Sequence, residues 1–194
     1  MLVLAAGLMV LGARIGLEAL VDATKPPNAE VATSPLVLDR NGRLLRPFTL
    51  PDGRWRLPVA LEDVDPQLVR MLLAFEDHRF YEHRGVDPRA LVRAAAQLIA
   101  NGRIVSGAST LTMQLVRLLD GGSTRSPSGK VSQILAALAL ERVLGKHEIL
   151  AAYLTVAPYG GNIEGVRAAS LTWFGKEPKR LSTAEAALLV VLPQ

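Results

Sequence analysis

Glu76 and Asp77 stand side by side in the stretch AFEDHRFYEHRGVDPRALVRAA (74–95), together with histidines and several arginines, in a chain that is 49% hydrophobic. A carboxylate among apolar neighbours suits proton transfer, because partial desolvation makes it a better proton acceptor. Glu76 lies four residues after Leu72, three after Leu73 and four before Phe80, which at helical spacing puts it on an apolar stripe that also includes Val69. The plainer reading is an ion pair with Arg79, three residues on. Asp77 points about 100° away from Glu76 on a helix, so the two cannot flank one bond from opposite sides as a glycosidase acid/base pair does.

Two further stretches carry charge-binding chemistry. In VSGASTLTMQLVRLL, Gly107, Ser109 and Thr110 come just before a helical pattern, and a helix N-terminus with free N–H groups attracts anions. Thr110, Gln114 and Arg117 recur at i, i+4 and i+7 and form a polar stripe, opposite Leu111, Leu115 and Leu118. An N-cap followed by an ordinary amphipathic helix would look the same. In TRSPSGKVSQ, Arg125 and Lys130 flank a turn, and Lys130 and Gln133 open a long Ala/Leu helix. Cations at a helix start oppose its dipole unless an anion sits there. His78 and His83 lack the i, i+4 spacing of a zinc helix and have no evident third ligand, so no metal site is expected, and His83 is expected to shape the turn ending in Gly85.

The elements that must position these residues are mostly helical. Asp65-Pro66 and Asp87-Pro88 each place an N-cap before a proline at the first helical position. Asn101-Gly102 marks a helix stop, and Ser182 with Glu185 forms a capping box before the last apolar run. Scarce aromatics, 5% of the chain, mean a core of Leu, Val, Ile and Ala, which favours helices. Apolar runs around Asn41-Gly42 predict a β-hairpin, and GRWRLPV a further extended piece that completes a small β element. Residues 1–20 read as an apolar membrane anchor, shorter than the roughly 20 uninterrupted apolar residues of a full span, with an interfacial helix or a core helix as the other readings. A Pro-rich linker over 21–35 follows, and then a domain over 36–194 whose last apolar run reads as cut short. With 194 residues there is room for one substantial core, and a net charge of +4 without a nucleic-acid motif points away from nucleic acid. With no cysteine, disulfides and thiolate metal sites are excluded.

Taken together, EDHRFYEHRGVD, GASTLTMQ, GKVSQ with LERVLGKHEILAAYL, PYGGNIEGVRAASLTWFGK and LSTAEAALLVVLPQ resemble, in order, the motifs of the peptidoglycan glycosyltransferase family (glycosyltransferase family 51). That family is the lysozyme-like domain of class A penicillin-binding proteins, and LPDGRWRLPV resembles its 1C branch. The resemblance spans roughly Leu36 to Gln194. It implies a mainly α, lysozyme-like fold with a small N-terminal β-hairpin, and an enzyme that polymerises lipid II into glycan strands on the outer, periplasmic face of the cytoplasmic membrane. By the same resemblance, Glu76 is the general base toward the acceptor sugar's 4-hydroxyl and Asp77 supports it. Ser109, Thr110, Gln114, Arg117, Arg125, Lys130 and Gln133 hold the donor and its diphosphate, with Phe80, His83, Gly85, Asp87 and Gly107 as structural motif residues. Lipid II, the growing glycan strand, the membrane and other cell-wall synthesis proteins are the implied partners.

Two positions depart from the family pattern. Gln133 stands where most members carry a glutamate thought to act near the diphosphate, through a divalent cation (Mg or Mn) in some accounts. An amide cannot ionise and holds a metal weakly, which argues against such a cofactor. Arg117 stands where many members have lysine. A degenerate non-catalytic cell-wall scaffold and a lysozyme-like muralytic enzyme are the alternative readings. The second leaves Arg117, Arg125 and Lys130 without an anion to bind.

Overall fold

A computed structural model describes residues 2–102, 107–121 and 126–193, with only the backbone described for residues 2–6. Arg103 and Arg125 lie outside the described residues. The chain runs α1 (Leu2–Ala23), a hairpin of β1 (Leu36–Leu38) and β2 (Leu44–Pro47), β3 (Trp55–Arg56) and a 3-10 turn (Leu61–Asp63). It continues through α2 (Pro66–Glu76), α3 (Pro88–Asn101), α4 (Leu111–Asp120), α5 (Pro127–Val143), α6 (Lys146–Val156), β4 (Ile163–Glu164), α7 (Val166–Phe174) and α8 (Thr183–Val191). It is mainly α, as a lysozyme-like domain requires.

Helix starts follow the sequence signals. Asp65 caps α2 by accepting from Gln67 N at 2.8 Å, and its other oxygen accepts from Leu181 N at 2.8 Å. One carboxylate therefore starts α2 and holds the segment leading into α8, against which α2 packs. Asp87 caps α3 through Arg89 N and Ala90 N, and Ser182 and Glu185 form the expected capping box of α8. The core lies where α4 packs on α5 and α6, with Leu111, Met113, Leu115, Leu140, Ile149, Leu150 and Leu154 fully enclosed. Burial of such side chains contributes about 1.5–3 kcal/mol each relative to exposure.

Three features differ from expectation. α2 ends at Glu76, so Phe80 is not on its stripe; the chain turns at Asp77 (φ −160°) and Phe80 enters the core from the following turn. Asp77 leaves the helix because its carboxylate is claimed by His83 and by the start of α4. β3 does not extend the hairpin: it pairs in parallel with β4, held by Arg54 and Arg56 on Glu164, so the β content is two separate two-stranded sheets. The Asn41-Gly42 hairpin itself forms, with Asp39 accepting from Asn41 N and Arg43 N.

α1 runs to Ala23, three residues into the expected linker, and its C-terminal end lies on α5. There Val21 is buried and Arg142 pairs with both Glu18 and Asp22. Among the described residues no helix is long and apolar enough to cross a membrane. α3 buries only Ala90 and leaves Val92 and Ile99 70% and 86% exposed.

Gly85 is where backbone freedom matters most. It has φ +70°, and a Cβ there would stand 2.6 Å from the Ala137 carbonyl oxygen of α5. Gly102 has a similar φ of +65° but open space around it. Gly102→Ala is expected to cost about 1–2 kcal/mol for the left-handed backbone alone. Gly85→Ala is expected to cost at least about 2 kcal/mol more, because backbone must also move. Thermal unfolding of the two variants measures the difference.

Candidate active site

Glu76 is the last residue of α2 and half-buried. Its Oε2 accepts from Gln114 Nε2 at 2.7 Å. Arg79, the alternative partner, pairs instead with Asp87, Nη2 to Oδ2 at 2.5 Å, so the plain ion-pair reading of Glu76 fails. That pair and two backbone N–H groups hold the Asp87 carboxyl below the usual carboxylate range, against the opposing effect of its burial. Gln114 is in turn touched by Tyr153 of α6, whose hydroxyl lies 3.4 Å from Gln114 Oε1. Burial, and then the charge of Glu76, push the Tyr153 phenol well above its ordinary range, so it stays a neutral donor.

Asp77, beside the base, faces inward. Its carboxylate accepts from His83 Nε2 at 2.9 and 3.1 Å and from Leu111 N at 3.0 Å. His83 therefore does more than shape a turn: it closes the loop between α2 and α3 onto Asp77, and its Nδ1 has no partner among the described residues. Phe80 is buried beside it, with the Lys146 ammonium 4.3 Å over its ring.

Thr110 is the N-cap of α4. Its hydroxyl donates to Gly85 O at 2.5 Å and accepts from Met113 N at 3.2 Å, and the residue is 2% exposed. Its oxygen is thus engaged inside the fold, and the expected polar stripe begins at Gln114 rather than Thr110. Gly107 is exposed in the segment before α4, and Ser109 is half-buried.

Lys130, in the first turn of α5, reaches Ser109 Oγ at 2.8 Å and Gln133 Oε1 at 3.0 Å. Burial, and then the positive charge of Arg117, lower its pKa. Gln133 is buried and donates from Nε2 to Met113 O at 2.5 Å. Among the described residues neither Lys130 nor Arg117 forms an ion pair with a carboxylate. Arg117 is exposed and also lines a cavity of about 620 Å³ with Arg54, Arg56 and Glu164. Glu76 and Lys130 are not part of that cavity's wall.

The described geometry thus gives two hydrogen-bonded groups, Glu76 with Gln114 and Lys130 with Ser109 and Gln133, with Arg117 within electrostatic reach of Lys130 and, like Glu76, of Tyr153. Tyr153 was missed from sequence; its only signal was a lone aromatic in an Ala/Leu helix. Also missed was Glu141, which accepts from Thr112 at 2.6 Å and Lys146 at 2.7 Å and joins α4, α5 and α6 beneath the site.

Two like charges close enough to act on one another, one of them partly desolvated, favour an anion beside them. Anion binding favours protonated Lys130, so affinity falls as pH rises through that residue's lowered pKa. Lys130→Met is expected to weaken binding of an isoprenyl diphosphate by about tenfold or more and to abolish that alkaline loss. Calorimetric titrations of both proteins across pH check this.

Comparison with known proteins shows the family. The model of a family described as Transglycosylase matches residues 41–194. Penicillin-binding protein 1C of Escherichia coli (strain K12) is 46% identical over 168 residues, 87% of this chain and 22% of the relative. Penicillin-binding protein 1A of Vibrio cholerae is 36% identical over 175 residues, 90% of this chain and 21% of the relative. Penicillin-binding protein 1A of Pseudomonas aeruginosa is 39% identical over 158 residues, 81% and 19% respectively. The chain spans about a fifth of the length of these relatives.

Proposed function

Because the chain belongs to the transglycosylase family, we propose that it is a peptidoglycan glycosyltransferase, joining lipid II units into glycan strands with release of undecaprenyl diphosphate. The observation that carries this reading is the pairing of one anchored carboxylate, Glu76, with two cations, Arg117 and Lys130, that have no carboxylate partner among the described residues. A hydrolase of the same fold needs the carboxylate and has no use for the cations.

In this reading Glu76 accepts the proton of the acceptor sugar's 4-hydroxyl. The oxygen so freed attacks the donor's anomeric carbon, the new glycosidic C–O bond forms, and the bond from that carbon to the diphosphate oxygen breaks. The electron pair leaves with the diphosphate, where Lys130 and Arg117 face the growing charge. Electrostatic stabilisation of that kind is commonly the largest contribution to such a transfer. Gln114 holds the Glu76 carboxylate through its N–H, and Tyr153 sits against the amide's oxygen. Asp77 supports the base by fixing the end of α2 rather than by touching substrate.

The cytoplasmic membrane, on its outer face, is the proposed location. The apolar α1 and the exposed apolar residues of α3, flanked by Arg89 and Arg93, suit an anionic lipid surface. Lipid II, the growing strand and other cell-wall synthesis proteins are the proposed partners.

The test is polymerisation of labelled lipid II in detergent. Glu76→Gln is expected to lower the rate about 10²–10⁴-fold while leaving the melting temperature close to that of the parent. Asp77→Asn is expected to lower the melting temperature as well, since it weakens a buried pair. A folded parent that makes no polymer overturns the assignment.

A further inference from the structure

Gln133 is 6% exposed and its amide is used at both ends. Nε2 donates to Met113 O at 2.5 Å, and Oε1 accepts from Lys130 Nζ at 3.0 Å. The two partners fix which end is which, because a backbone carbonyl can only accept and an ammonium can only donate. A carboxylate could not take this place unchanged: one of its oxygens would face the Met113 carbonyl with no proton between them. The amide therefore keeps α5 on α4 and, among the described residues, leaves Lys130 with two neutral oxygen partners, Gln133 and Ser109. Its charge stays unneutralised, in surroundings where burial and Arg117 already disfavour it.

The same residues do not fit a divalent cation. Magnesium is held by carboxylates and water in near-octahedral geometry. Among the described residues no group of three histidine, aspartate or glutamate side chains could hold a metal. Of the carboxylates, Asp77 is held by His83 and Leu111 N and Glu141 by Thr112 and Lys146, while Glu76 has one oxygen on Gln114. The one oxygen Gln133 could offer already faces an ammonium, which repels a dication.

We propose that Gln133 is a positioning residue that holds Lys130 through a neutral acceptor, so that this site takes up the diphosphate with side-chain cations and without a divalent metal. The proposal rests on the reading of the site as one for a lipid diphosphate. A glutamate at 133 would pair with Lys130, cancel its charge, and make the diphosphate depend on an added cation.

The experiment measures binding of a short isoprenyl diphosphate to the full chain in detergent by calorimetry, in excess chelator and in magnesium. Manganese binding is read separately by electron paramagnetic resonance, with and without the diphosphate. The parent is expected to bind equally in both conditions and to take up no stoichiometric manganese. Gln133→Glu is expected to bind about tenfold or more weakly in chelator, and to regain affinity with magnesium. Gln133→Ala is expected to bind more weakly than the parent but to stay indifferent to the metal, and it carries the test with the parent should Gln133→Glu fail to fold. In lipid II polymerisation, Gln133→Glu is expected to raise the donor KM more than it lowers kcat. Parent binding that vanishes in chelator and returns with magnesium, stoichiometric manganese in the parent complex, or a Gln133→Glu variant identical to the parent would each overturn the proposal while leaving the glycosyltransferase reading intact. A folded parent that binds in neither condition would overturn the diphosphate reading and the proposal together.

Discussion

The buried carboxylate of Asp77 is the constraint on which the site depends. It accepts from the His83 ring and from the backbone N–H of Leu111, and so joins the end of α2, the following turn and the start of α4 at one point. A carboxyl group this deeply placed is tolerated only when its oxygens are filled, and leaving such a buried group unsatisfied costs about 1–3 kcal/mol. The chain must leave the helix at Asp77 to make these bonds, and that exit leaves Glu76 at the very end of α2. Thr110 tightens the same junction by donating to Gly85 O while capping α4, and Gly85 lets α5 come within contact distance. Glu76, the proposed base, is thus held by a neighbour whose carboxylate is turned into the fold.

Across this junction the charges are sorted. On one side the carboxylates are filled by hydrogen bonds: Glu76 by an amide, Asp77 by an imidazole and a backbone N–H, Glu141 by a hydroxyl and an ammonium. On the other, neither Lys130 nor Arg117 forms an ion pair with a carboxylate among the described residues. Placing Lys130 in the first turn of α5 works against the helix dipole, and Arg117 adds like-charge repulsion. A fold selected for stability alone would not keep both features. They are relieved together when an anion arrives, which is the behaviour of a binding site.

Most of the architecture was legible in local chemistry. Asp-Pro pairs, the Ser182–Glu185 box and Asn41-Gly42 act within a few residues of themselves, and each formed where the sequence placed it. Long-range pairings were not legible. Nothing in GRWRLPV says that its strand lies against Ile163–Glu164, more than a hundred residues on, because the deciding contacts are Arg54 and Arg56 on Glu164. Helical spacing likewise placed Phe80 on the stripe of Glu76, whereas the demands of His83 and Leu111 on Asp77 ended the helix first. In the candidate site, residue types picked out Glu76, Arg117 and Lys130. Spacing could not show that Thr110 turns its hydroxyl inward, nor that Tyr153 would reach Gln114 from α6.

Gln133 shows how a single polar atom can change what a site requires of its surroundings. Read alone in the sequence, it is a charge that is missing. In the fold it is a donor that has been gained, since its Nε2 meets a helix carbonyl of α4 that no carboxylate could satisfy. Loss of an anion beside Lys130 and gain of a bond to Met113 come from the same atom exchange. The anchoring bond also sets where the amide oxygen lies, and through it where Lys130 points. Helix packing and the electrostatics of the anion site are therefore one property here, written by one side chain at the α4–α5 contact.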